Sequence, residues 1–222
     1  PNWLETFEGS QLLVDIRNFL RVDIVDNQLS ALKDPRLSRL LPLWLPLFSA
    51  EAIATHFALV IRSPLEIADS LAHRNGFSAE KSLILWMQHM MDAERNTRFL
   101  PRGFVRFESL LSTPQASIER IVRAIGLKLP ILSDDRSGEL SEFLDRNLRH
   151  YQASDEELDA RCLKCIANYY RLLCKISEQE AETTQDLKDM DELYRDFEAN
   201  QTLFYNTEIL QIKRLSGAKH ES

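Results

Sequence analysis

The stretch His56-Phe-Ala-Leu-Val-Ile-Arg-Ser-Pro-Leu-Glu-Ile-Ala-Asp-Ser70-Leu-Ala-His-Arg74 constrains this chain more than any other. Residues 57–61 form a short apolar run of β-formers, the composition of a buried strand in a parallel sheet. The run stops at Arg62. Ser63-Pro64-Leu65-Glu66 then reads as a helix start, with Ser as N-cap, Pro at the first helical position and Glu closing a capping box. A basic side chain at the carboxyl end of a buried strand, followed at once by the free N–H groups of a helix N-terminus, makes an anion site. Open α/β sheets take ligands at that edge. Ser70 lies eight residues after Arg62, two turns along the helix, where its hydroxyl can join the same anion. A βα unit whose Arg62 merely caps or pairs at the surface fits the same spacing.

Around this unit the chain alternates. Residues 29–33 read as a short strand ending at Lys33, and the helix after it carries Leu37, Leu40, Leu41 and Trp44, with Pro42 and Pro46 bending or ending it. Asn75-Gly76 stops the central helix, and Ser78-Ala-Glu-Lys81 opens the next, whose buried face is Leu83, Trp86, Met87 and Met90. Pro101-Arg-Gly103 reads as a turn and residues 104–107 as a third strand. Thr113-Pro114 caps a helix with Ile118, Ile121, Val122 and Ile125 inward, ended by Gly126. This alternation predicts an α/β domain with a parallel sheet over residues 1–150, its first 27 residues an amphipathic helix with Leu12, Leu13, Ile16 and Leu20 in register. Residues 131–149 are polar and loop-rich. Residues 151–222 form a helical extension: one helix over 155–180, then a long polar helix over 184–212 with Leu187, Met190, Tyr194, Phe197 and Phe204 near a 3-4 spacing. Gln201 breaks that seam, which suits a short coiled coil or a docking helix bridging to a neighbouring domain.

A formal net charge of −7 argues against a broad nucleic-acid footprint. No apolar run is long enough to span a bilayer; residues 40–48 are too few and hold two prolines. No secretory signal is visible, and the three cysteines include a Cys162-Leu-Lys-Cys165 spacing with no second pair to complete a zinc site. Structural or free thiols in a reducing, cytoplasmic setting are the expectation. His56, His73 and His89 stand isolated in sequence and read as surface or satisfied core residues.

Arg62, Ser63, Pro64 and Ser70 resemble the motif with which PAPS-dependent sulfotransferases grip the 3′-phosphate of 3′-phosphoadenosine 5′-phosphosulfate (PAPS). Two further blocks resemble the bacterial branch of that family, in its order: Lys33-Asp-Pro-Arg-Leu-Ser-Arg-Leu-Leu-Pro-Leu-Trp44 upstream and Val105-Arg-Phe-Glu-Ser-Leu-Leu-Ser-Thr-Pro114 downstream. Phe143-Leu-Asp-Arg-Asn-Leu-Arg-His150 resembles a later segment of it, so the likeness covers roughly residues 28–150. It implies a P-loop-NTPase-like parallel sheet flanked by helices, helix-rich overall, and sulfuryl transfer from PAPS to a hydroxyl on a carbohydrate, lipid or natural product. Such transfer requires cations where charge builds and a base at the acceptor. By the same likeness Arg62 and Ser70 would hold the 3′-phosphate. Phe107 would pack beside the adenine, without the hydroxyl of the family's Tyr. Lys33 would stabilise charge on the leaving phosphate. The family's catalytic His has no counterpart in this segment, which leaves Asp34 as the nearest base and Arg36 as an extra cation; Asp34-Pro35 is equally a plain N-cap before Pro at N1.

One departure is large. The family's Gly-rich 5′-phosphosulfate loop is missing, since none of the six glycines (9, 76, 103, 126, 138 and 217) follows a strand and opens a helix in that manner. The chain starts at Pro1 rather than Met, and the expectation is a piece lacking its first βα unit, or a degenerate relative, which does not turn over by itself. Two rival readings stand beside the enzyme: a catalytically inactive sulfotransferase-like scaffold domain with the 184–212 helix as connector, and a P-loop kinase relative.

Overall fold

Two parallel strands lie at the centre of the computed structural model, which describes residues 6–25, 29–128 and 154–217, with backbone alone from residue 201 on. The strands are β1 (Phe57–Ile61) and β2 (Arg102–Arg106), paired so that Phe57 faces Arg102 and Ile61 faces Arg106. In chain order the described helices are α1 (Phe7–Phe19), continued by a π-helical segment (Leu20–Val25), α2 (Leu37–Ala50), α3 (Pro64–Asn75) and α4 (Ala79–Thr97), then α5 (Phe107–Ser112), α6 (Pro114–Ala124), α7 (Asp155–Arg161), α8 (Lys164–Glu178) and α9 (Thr184–Gly217). The molecule is thus helix-rich α/β with a small parallel sheet.

The core is built on one face of that sheet. Leu59, Ile61 and Phe104 point into it and meet Leu65 of α3 and Leu83, Trp86, Met87 and Met91 of α4. Each such side chain taken out of water contributes about 1.5–3 kcal/mol. The same core holds Ile166, Tyr169, Leu173 and Ile176 of α8 and Met190 and Phe197 of α9. Described residues on both sides of position 150 thus share one core. The α8 residues recur at i, i+3, i+7 and i+10, an apolar stripe that needs cover, and the strands supply it. The first half of α9 docks on this same body.

Several local expectations are corrected. Residues 29–33 make no strand: Leu29 and Leu32 stay 59% and 42% exposed, and among the described residues no neighbouring strand completes a ladder there. The helix expected over 155–180 is two helices, because Cys162 and Leu163 are extended (ψ 152° and 141°). Its start is sharply set by a capping box between Ser154 and Glu157. Arg102 and Gly103 belong to β2 and not to a turn. Gly103 lies in the strand because α6 crosses it closely: a Cβ there would meet the Ala124 Cβ at 3.0 Å. Neither Pro42 nor Pro46 ends α2. Pro42 has no N–H for the Ser38 carbonyl, and Asn96 Nδ2 on α4 donates to that carbonyl at 2.9 Å instead. The helix ends marked by Gly76 and Gly126 are where they were expected, both glycines left-handed at φ 65° and 72°. Segments 131–149 and 143–150 lie outside the described residues.

At the amino end of β2 an ionic cluster ties the elements together. Arg102, 3% exposed, donates to Glu94 Oε1 of α4 (3.0 Å) and to Glu182 before α9, while Arg98 donates to both oxygens of Glu94 and pairs with Asp191. The desolvation of a buried carboxylate shared by two guanidiniums is offset only while both remain.

Candidate functional site

The carboxyl ends of both strands deliver the site. Because Ile61 and Arg106 are paired, the next residues, Arg62 and Phe107, emerge side by side. The Arg62 guanidinium carbon lies 4.7 Å from the centre of the Phe107 ring, a cation–π contact. Its Nε donates to Glu66 at 3.1 Å, one turn into α3. The backbone is fixed as well: Trp86 Nε1 on α4 donates to the Arg62 carbonyl at 3.0 Å. Arg62 is thereby held at its ring face and its Nε, and among the described residues its two terminal nitrogens make no hydrogen bond. An arginine gripped in this way presents a two-pronged donor in a fixed plane.

Beside it begins α3, with Pro64 at the first position as expected. The capping box is not made. Ser63 is the N-cap without a side-chain bond, and its Oγ is buried with no hydrogen-bond partner. Glu66 turns to Arg62 instead, because a guanidinium offers a buried carboxylate more than a backbone N–H does. An orphaned hydroxyl at a helix N-terminus beside a cation fits a group that brings acceptor oxygens. Ser70 is exposed, one turn beyond Glu66 on α3.

The segment 33–36 is not at a strand end. Lys33 and Arg36 are exposed, and Asp34 is committed to Arg36: its Oδ1 accepts from the Arg36 backbone N–H at 2.8 Å and its Oδ2 from Nη2 at 2.6 Å. These bonds from Arg36 hold the carboxyl well down, to about 2. A carboxylate so stabilised is a poor proton acceptor near neutral pH. The turn is nonetheless tied to the helix that holds Arg62, since His89 Nδ1 lies 3.1 Å from the Pro35 carbonyl. His89 and Trp86 are one turn apart on α4.

The structure thus brings Arg62 and Phe107 together, keeps Ser70 on α3, the helix that follows Arg62, and places Lys33, Asp34 and Arg36 on a turn braced against α4. Reading by sequence missed Glu66 as the partner of Arg62, and Arg106, a second cation at the end of β2 that pairs with Glu108 at 3.3 Å. It also missed His89. A cation closing a strand was a visible signal for Arg106; the partners of His89 lie 51 and 54 residues away and left no local trace. The cysteines are free thiols, and burial pushes Cys162 and Cys174 up to about 11, away from thiolate chemistry. None of the helices formed by the described residues is long and apolar enough to cross a membrane. No family model, no curated protein and no solved structure matches the chain.

Proposed function

We propose that this chain is the 3′-phosphate-gripping part of a PAPS-dependent sulfotransferase with a P-loop-NTPase-like sheet, acting on an acceptor hydroxyl. The observation that carries the reading is the state of Arg62: fixed by Phe107, Glu66 and Trp86, with both terminal nitrogens uncommitted beside a helix N-terminus and the orphaned Ser63 hydroxyl. In this reading Arg62 and the first N–H groups of α3 bind a phosphate, with Ser70 closing over it from the next turns. Phe107 offers a ring for a base to pack on, next to the phosphate rather than across the site. PAPS, when bound, supplies the sulfuryl group. Lys33 and Arg36 serve charge on the leaving side.

One observation favours a second reading, the inactive scaffold. Glu66 is 1% exposed and already pairs with Arg62, which a purely structural ion pair also explains. Calorimetry separates the two. Titrating 3′-phosphoadenosine 5′-phosphate into the parent is expected to give binding, and Arg62→Ala to weaken it by roughly 10- to 100-fold, the worth of a charged hydrogen-bonded pair. A parent that does not bind leaves the scaffold. ATP competing as well as the 3′-phosphorylated nucleotide turns the reading to a phosphoryl-transfer relative.

A further inference from the structure

We infer that His89 is the proton acceptor for the attacking hydroxyl, held in the required tautomer by Ser38 and by the carbonyl of Pro35; this rests on the sulfotransferase reading above. The turn at 33–36 needs a base, and its own carboxylate is spent on Arg36. His89 leans on that turn from α4. Its Nδ1 is 2.8 Å from Ser38 Oγ and 3.1 Å from the Pro35 carbonyl, and Ser38 Oγ itself donates to the same carbonyl at 3.2 Å.

These three distances assign the protons. A carbonyl only accepts, so a bare Nδ1 facing Pro35 would set two lone pairs against each other. With the Ser38 proton directed at the carbonyl, Ser38 Oγ is left to accept from His89. Both partners therefore call for Nδ1–H, and the tautomer follows: Nε2 carries the lone pair. Among the described residues Nε2 has no hydrogen-bond partner.

The ring is rigidly mounted. Ser38 is fixed at its carbonyl by Asn96, and Arg39 pairs with Asp92 at 3.2 Å, so residues 89, 92 and 96 form one polar stripe that locks α4 to α2. The charged neighbours on these elements, Asp92 with Arg39 and Asp34 with Arg36, are paired with each other, which leaves the imidazole as the uncommitted base. Trp86, one turn away, holds the strand end that carries Arg62. Base and anion grip thus hang on one helix. In the step itself the acceptor oxygen forms the new bond to sulfur, and the bond from sulfur to the 5′-phosphate oxygen breaks with its electron pair passing to that phosphate. The hydroxyl proton passes to His89 Nε2. Ser38 and Pro35 position the ring and touch no reacting atom.

Nitrogen-15 NMR of the imidazoles tests the tautomer without any turnover. The chain has five histidines, and the His89 signal is the one lost in His89→Gln. The expected pattern is Nδ1–H with a bare Nε2, shifting towards a mixture of tautomers in Ser38→Ala. A second arm probes the open nitrogen without turnover: diethyl pyrocarbonate is expected to modify His89 at Nε2, a modification lost in His89→Gln, while calorimetric binding of 3′-phosphoadenosine 5′-phosphate stays unchanged in that variant. An Nε2–H tautomer at His89 overturns the inference, as does a His89 that the reagent leaves untouched. Failure of the parent to bind the nucleotide is read separately by calorimetry and overturns the sulfotransferase reading itself.

Discussion

At Glu94 one carboxylate serves two guanidiniums, and neither bond is dispensable. Removing the Arg102 head group leaves that carboxylate buried with half its compensation and frees Glu182 as well. Arg102→Met is expected to cost about 3–5 kcal/mol, seen as a lower urea midpoint at constant slope, and to leave any nucleotide affinity untouched because the proposed site lies at the other end of β2. The sequence is uneven at this scale. Arg62 and Phe107 were each legible at the carboxyl end of a strand, but that the two strands are neighbours, which brings the residues together, is shown only by the pairing of Ile61 with Arg106. Glu182 with Arg102 was not legible, for the two are 80 residues apart and neither periodicity nor capping relates them. Asp34 stands as the nearest base only through the family resemblance, and equally as an N-cap; the bonds from Arg36 show that it is spent.

Helices and strands show where local rules yield to packing. A glycine between a proline and a strand reads as a turn, yet Gly103 is a strand residue whose missing side chain admits α6. Its Cβ would stand 3.0 Å from Ala124 Cβ and 3.1 Å from Ile121 Cγ1, and the first of these cannot rotate away. Gly103→Ala is expected to lower the thermal midpoint measurably, and Gly103→Val to cost more, about 1–3 kcal/mol by overpacking. Circular dichroism melts of the two variants give the order, and a Val variant as stable as the parent refutes the contact. Pro42 teaches the converse. The lone rule that proline stops a helix fails because Asn96, on another element, takes over the carbonyl that Pro42 cannot serve. Residues 29–33 failed for want of a partner: β-propensity states a fit to a neighbouring strand, and none is there among the described residues.

For the molecule as a whole, the decisive fact is that residues beyond 150 close the core. Composition changes near Pro130, and residues 151–222 read as a helical extension of the α/β domain. Hydrophobic pattern could show that α8 has an apolar face, but not that Leu59, Ile61 and Phe104 are what it covers. A chain ended at residue 150 loses Ile166, Tyr169, Leu173, Ile176, Met190 and Phe197 from that core. It is expected to bind a hydrophobic dye and to lose its cooperative melt, whereas a true two-domain protein keeps one. The same arrangement sets a timetable for synthesis. Phe104 leaves the ribosome after α3 and α4 are made but waits for Phe197, 93 residues later, an interval of roughly 5–20 seconds at ordinary elongation rates. Through that interval α3 and α4 alone cover the nascent sheet, so yield in the cell depends on whatever shields the part of the core that α8 and α9 close later.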